Sequence, residues 1–163
     1  ITTFTPTGAG NTVNYNGAVA QTVFNVNNYQ NLTLSGTSAK TLGALMVTIG
    51  GNLTLSGTAT ATTVAVLAIT GNVNVGDGTT LTVAGFNFTV TGTTTVGGGT
   101  SGTLTHSSVT GTKTFTGLVT INSGGQWTNT INEEINFRGG LTNNGTFTAG
   151  TGIYTFTINK TEK

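Results

Sequence analysis

Asn31-Leu-Thr-Leu-Ser-Gly36 and Asn52-Leu-Thr-Leu-Ser-Gly57 are the same hexapeptide, set 21 residues apart in a chain of 163. Degenerate copies continue the series as Asn72-Val-Asn-Val-Gly76, Thr93-Thr-Thr-Val-Gly97, Leu118-Val-Thr-Ile-Asn122 and Gly140-Leu-Thr-Asn-Asn144, at intervals of 20, 21, 25 and 22 residues. A recurring period of this length is the signature of a repeat architecture. Each copy alternates apolar and polar residues, as a strand does when one face is buried. Leu32 and Leu34 then point inward and Thr33 outward. Through the copies the outward position reads Thr33, Thr54, Asn74, Thr95, Thr120 and Thr142, and the inward pairs read Leu/Leu, Leu/Leu, Val/Val, Thr/Val, Val/Ile and Leu/Asn. Such agreement between copies arises when successive coils stack their side chains on one another.

A second alternating motif precedes most copies: Val47-Thr-Ile49, Leu67-Ala-Ile69, Phe88-Thr-Val90 and Ile135-Asn-Phe137, with Tyr154-Thr-Phe156 closing the series. About 21 residues accommodate three short strands and three turns, with Gly and Asn supplying the positive φ that corners need. The sequence therefore predicts an all-β chain, a parallel β-helix (β-solenoid) of about seven coils with an extended N-terminal strand. At roughly 4.8 Å per coil the rod is on the order of 35 Å tall. Residues 1–10 read as an N-terminal strand or arm and residues 11–163 as one solenoid domain. A propeller blade needs about 40 residues, and a β-sandwich gives no reason for identical hexapeptides one coil apart.

The composition agrees. The chain holds 41 Thr, 26 Gly and 18 Asn, just over half of it, and only 9 formally charged side chains. A typical soluble domain is about 25% charged. Glycine has no G-X-Y period, which excludes collagen, and the β-branched bias argues against disorder. A net charge of +1 argues against nucleic acid, which requires a basic patch. No apolar run approaches the roughly 18 residues of a membrane-spanning helix.

Candidate chemistry is sparse. Converging carboxylates would be needed for catalysis or a metal, yet Asp77, Glu133, Glu134 and Glu162 are the only acids. Asp77-Gly78 reads as a turn, and Glu133 and Glu134, being adjacent, face opposite sides of a strand. His106 has no Asp or Cys near it in sequence and reads as a surface or loop residue. Gly97-Gly-Gly99 lacks the Lys and helix of a phosphate loop. No catalytic, cofactor or metal residue is assigned, and no cofactor is expected. Thr-x-Thr pairs such as Thr58-Ala-Thr-Ala-Thr62, Thr112-Lys-Thr-Phe-Thr116, Thr146-Phe-Thr148 and Thr155-Phe-Thr157 invite an ice-binding reading, but they recur at irregular intervals. Trp127, Tyr15 and Tyr29 are candidates for stacking on sugars, against the plainer reading of core or corner fillers.

The stretch Val13-Asn-Tyr-Asn-Gly-Ala-Val-Ala-Gln-Thr-Val23, then Tyr29-Gln-Asn-Leu-Thr-Leu-Ser-Gly36 and Lys40-Thr-Leu42, resembles repeats of secreted, Thr/Gly/Asn-rich, adhesin-like bacterial surface proteins of the kind frequent in Bacteroidetes. Leu141-Thr-Asn-Asn-Gly-Thr-Phe-Thr-Ala-Gly150 is similar to the same repeats. The resemblance implies an exported, non-catalytic solenoid and transfers no site residue.

The ends complete the reading. The N-terminal stretch Ile1-Thr-Thr-Phe-Thr-Pro-Thr7 alternates like an edge strand, and Ile153-Tyr-Thr-Phe-Thr-Ile158 is strand-like close to the C-terminus. Uncapped ends invite pairing, and head-to-tail contacts generate open filaments. The expectation is an extracellular, cell-surface structural protein, freed of a signal peptide since the sequence opens with Ile, whose partner is a second copy of itself. Its assembly interface is expected at Ile1, Phe4, Pro6, Tyr154, Phe156 and Ile158, with the arm adding as a strand to a neighbour. The second expectation is an adhesin-like solenoid binding surface glycans or ice through a lateral Thr/Asn face.

Overall fold

The structure, a computed structural model, describes residues 4–157. Ile1, Ile158 and the tail charges Lys160, Glu162 and Lys163 lie outside the described residues. The chain winds through about seven coils, each laying one short strand on each of three walls. The first wall has seven strands: Thr12–Tyr15, Asn31–Leu34, Leu53–Leu55, Val73–Val75, Thr94–Val96, Val119–Ile121 and Leu141–Asn143. The second also has seven: Gln21–Thr22, Thr37–Thr41, Thr58–Thr62, Thr80–Val83, Thr103–His106, Gln126–Thr128 and Thr146–Thr148. The third has six, Thr48–Ile49, Leu67–Ile69, Phe88–Val90, Lys113–Phe115, Ile135–Phe137 and Tyr154–Phe156. A single parallel bridge from Tyr29 to Ile49 extends it by one coil. Pairing is parallel in every ladder, as it must be when each strand meets its equivalent one coil later.

The register follows the repeat. Thr33 pairs with Thr54, Thr54 with Asn74, Asn74 with Thr95, Thr95 with Thr120 and Thr120 with Thr142. Beside this outer row the inward pairs are buried from Leu32 and Leu34 as far as Ile121, and lapse at Asn143, which is exposed. As the first wall loses bulk the other two gain it. The row Ile49, Ile69, Val90, Phe115, Phe137 and Phe156 on the third wall turns aromatic toward the C-terminus. The second-wall row Ala61, Leu81, Leu104, Trp127 and Phe147 does the same. Phe115 and Phe137 stack at 5.8 Å, Phe137 and Phe156 at 5.2 Å, and Trp127 and Phe147 at 5.9 Å. Dense aromatic packing keeps the interior filled.

The hexapeptide's Asn is a corner residue. Asn31 Oδ1 accepts from the Asn52 N–H at 2.9 Å, Asn52 Oδ1 from Asn72 at 2.8 Å, and Asn72 Oδ1 from Thr93 at 2.8 Å. Each side chain thus satisfies the backbone of the coil beyond it, where the turn interrupts the ladder. The hexapeptide's Gly has a different cause: Gly57 sits at φ 69°, and a Cβ there would strike the carbonyl oxygen of Gly36.

One inward position breaks the apolar rule. Thr94 is fully buried between Val73 and Val119, and its hydroxyl has no hydrogen-bond partner. An unpartnered buried polar group costs about 1–3 kcal/mol. Thr94→Val is therefore expected to stabilise the fold by about 1 kcal/mol. A denaturant midpoint that stays level or falls would show that the hydroxyl is not a liability.

Candidate functional site

Among the described residues, the first and last coils leave apolar side chains of the interior partly exposed. At the N-terminal end an open depression of about 630 Å³ is lined by Phe4, Val13, Tyr15, Val23 and Phe24, with Asn14, Thr22 and Asn25 at its edge. The Tyr15 and Tyr29 hydroxyls lie 3.1 Å apart. Tyr15 Oη accepts from the Phe24 N–H at 2.8 Å, and the Tyr29 hydroxyl donates to the Phe24 carbonyl at 2.8 Å. This pair fixes the first coil's corner. Phe4 roofs part of the depression, edge-on to Phe24 at 5.5 Å and 6.1 Å from Tyr29. The carbonyl of Pro6 accepts from the Gln30 N–H at 3.0 Å, and the Pro6 side chain is buried. Residues 4–6 thus lie on the chain's own first coil.

At the other end Phe147 and Tyr154 are half-buried, Phe156 is 52% exposed, and Ile153 is exposed. Tyr154 is anchored from below. Its hydroxyl accepts from Asn129 Nδ2 at 2.6 Å and donates to the Ala149 carbonyl at 2.5 Å. Of the six residues expected at the assembly interface, Phe4, Tyr154 and Phe156 sit on end surfaces, Pro6 is covered, and Ile1 and Ile158 lie outside the described residues.

A buried polar cluster fills the corner between the second and third walls on the fifth and sixth coils. Lys113 Nζ donates to the Thr110 carbonyl at 2.7 Å and meets Glu133 Oε1 at 3.1 Å, with both side chains inaccessible to solvent. Asn129 clasps the Glu133 backbone, accepting from its N–H at 2.9 Å and donating to its carbonyl at 2.8 Å. Burial pushes the Glu133 carboxyl up, and the nearby ammonium offsets that only in part. His106 lies against Trp127 at 4.9 Å. Burial lowers its pKa to about 4, against an opposing contact with the Thr128 carbonyl. Glu133 Oε2, His106 Nε2 and Trp127 Nε1 have no partner within the chain.

Several expectations change here. His106 is an interior residue, because Leu104 and His106 share one face of Thr103–His106 and that face is inward. Trp127 and Tyr29 are fully buried and offer no ring to a sugar. Glu133 and Glu134 do face opposite ways, Glu133 inward and Glu134 to solvent. Asp77 is a turn staple: its Oδ1 accepts from the N–H groups of Ser101, Gly98 and Thr100 at 2.9, 2.7 and 3.2 Å, which holds its carboxyl down at about 2. Among the described residues no group of three His, Cys, Asp or Glu is gathered as for a metal ion.

The lateral surface also differs from the sequence reading. On the second wall the Thr-x-Thr pairs fall into register. Thr60 pairs with Thr80, Thr80 with Thr103, Thr103 with Gln126 and Gln126 with Thr146. Beside them Thr62, Thr82, Thr105, Thr128 and Thr148 form an unbroken row. The pairs about Thr114 and Thr155 belong to the third wall, and corners of unequal length separate those of the second, which together make the series irregular in sequence.

The described residues define a three-walled parallel β-solenoid with partly exposed first and last coils and a Thr-faced wall. Compared with known proteins, the chain matches no family model, no curated protein and no solved structure. Among the described residues no helix is long and apolar enough to cross a membrane.

Proposed function

We propose that this chain is a non-catalytic structural element of a cell-surface or extracellular fibre, in which β-solenoid units continue one another end to end. The observation that carries this reading is the pair of half-exposed apolar end coils. Leu141, Phe147, Tyr154 and Phe156 at one end and Val13 and Tyr15 at the other occupy the same inward rows that are filled throughout the rod, with Phe4 laid over the first coil. Stacking the last coil of one copy on the first of the next continues those rows and the wall ladders, as strand addition does elsewhere. Scarcity of charge suits the joint, since the first and last coils that meet carry little charge to oppose it. Electron microscopy of the purified chain tests it. Rods longer than one unit, growing with concentration and shortened by Phe156→Glu, are expected. Rods of one unit's length at every concentration would reject the reading.

A second reading has its own observation, the paired Thr rows of the second wall. Along a strand alternate residues recur about every 6.8 Å, and strands about every 4.8 Å, so the two rows present a regular array of hydroxyl and methyl groups, interrupted at Gln126, of the kind that would order water for ice binding. Crystals that grow unshaped at millimolar protein would end that reading. Faceted crystals that lose their facets with Thr82→Tyr and Thr105→Tyr would favour it over the fibre.

A further inference from the structure

Seven of the exposed large apolar side chains of this rod lie on one edge, the corner between the second and third walls. Phe24, Leu45, Val64 and Val66 occupy it on the first three coils, 38–62% exposed. Phe86, Val109 and Ile153 continue it on the fourth, fifth and seventh, 41–63% exposed. Ile131, half-buried, fills the sixth. The edge is built rigidly. Three-residue turns close it at the first, second and fourth coils, from the Val26 N–H to the Phe24 carbonyl, Val47 to Leu45 and Phe86 to Ala84, at 2.9, 3.1 and 2.8 Å. The Thr110 hydroxyl ties the fifth coil's turn to the Gly85 carbonyl at 3.0 Å.

We propose that this apolar ridge is a lateral interface on which a second copy of the chain docks side by side, antiparallel, about a two-fold axis passing near Phe86. Three observations select that occupant. First, the seven side chains present on the order of 600 Å² per copy, so a pair covers on the order of 1,200 Å², the lower end of specific interfaces, whereas isolated apolar residues would need no explanation. Second, the ridge has one rung per coil, and another coil stack shares that rise of roughly 4.8 Å and can meet it rung for rung. Third, charge neither draws another partner nor opposes a copy. Among the described residues Lys40, Lys113 and Glu133 are buried, and Glu134 is the one exposed charge on this edge. An anionic lipid surface would call for basic residues beside the apolar strip.

The rungs are arranged for a two-fold. With Phe86 on the fourth of seven coils facing its own mate, Val64 and Val66 face Val109, Leu45 faces Ile131, and Phe24 faces Ile153. An isologous contact of this kind closes at two copies, unlike the end joint, and it does not rest on the end-to-end reading.

The chain has no cysteine, so an introduced thiol can bridge only between copies. Phe86→Cys is expected to form a disulfide-linked pair under mild oxidation at least tenfold faster than Thr120→Cys on the opposite wall. Light scattering in a Phe156→Glu background, which blocks the end, is expected to give twice the 16.4 kDa chain mass, reverting to one chain when Phe86→Glu is added. Equal crosslinking rates at the two thiols, or a one-chain mass at millimolar protein with the ridge intact, would overturn the proposal. If the two-chain mass persists in Phe156→Glu while long rods vanish, the ridge and the ends act separately. If long rods survive with a one-chain width, the ridge fails and the end joint stands.

Discussion

Replacing Lys113 by methionine is expected to destabilise the fold by about 3–5 kcal/mol, the usual effect of stranding one partner of a buried ion pair. Lys113 and Glu133 are both inaccessible to solvent, and Glu133 Oε2 has no other partner. The loss is large beside the 5–15 kcal/mol that holds a typical domain together. It should depend on pH in a stated direction. Without the ammonium the Glu133 carboxyl, already raised by burial, rises further above its unfolded value. A raised carboxyl pKa weakens the fold as pH climbs past about 4.5, so the deficit is smaller at pH 5 than at pH 8. Lys113→Met combined with Glu133→Leu removes both charges and should recover most of the stability. Urea midpoints that are equal for the single and double variants would show that the stranded charge is not the cause.

Acid is expected to weaken the wild-type rod well above the range where exposed carboxylates titrate. The buried imidazole of His106 has its pKa lowered to about 4, against about 6.5 in an unfolded chain. Between those values the unfolded state binds the extra proton. The contribution of neutral His106 is therefore complete above pH 6.5 and falls as pH drops toward 4, by up to about 3 kcal/mol at 1.36 kcal/mol per unit. Glu133 works in the opposite sense near pH 4.5 and above, so the comparison needs a His106 variant. His106→Val, matching Val83 one coil earlier, should flatten the profile between pH 6.5 and 4.5. A profile equally steep in that variant would assign the loss elsewhere. Asp77, held at about 2, contributes stability above its unfolded pKa that is lost only as pH falls from about 4 toward 2.

Some of this was legible in the residues. The repeat of Asn31–Leu34 at 21 residues fixed the coil, and the pairs Thr33 to Thr54 through Thr120 to Thr142 fall as the spacing says. The insides of the second and third walls were harder to see. Lys113, His106 and Lys40 look like surface residues by type, yet each alternates with an inward neighbour: Lys113 with Phe115, His106 with Leu104 and Lys40 with Leu42. A strict period-two reading of Lys113-Thr-Phe115 places the lysine inside. What makes that affordable is invisible in sequence, because Lys40 Nζ finds Gly17 and Thr37 carbonyls and Gln21 Oε1 at 2.8–3.0 Å. Gly17 and Gln21 belong to the preceding coil, and Thr37 begins the lysine's own strand.

The sequence by itself determined the coil length, the parallel stacking and the outward Thr/Asn row, because strand alternation and corner residues are local and repeat. Only the tertiary structure decided which residues share an edge or a row of the second wall. Corners of unequal length hide the vertical neighbours: Thr60, Thr80, Thr103 and Thr146 are 20, 23 and 43 residues apart yet stand in one row of the second wall. The apolar ridge is concealed in the same way, since Leu45, Phe86 and Val109 belong to corners that share no motif and meet only when the backbone ladders between strands bring their coils into line.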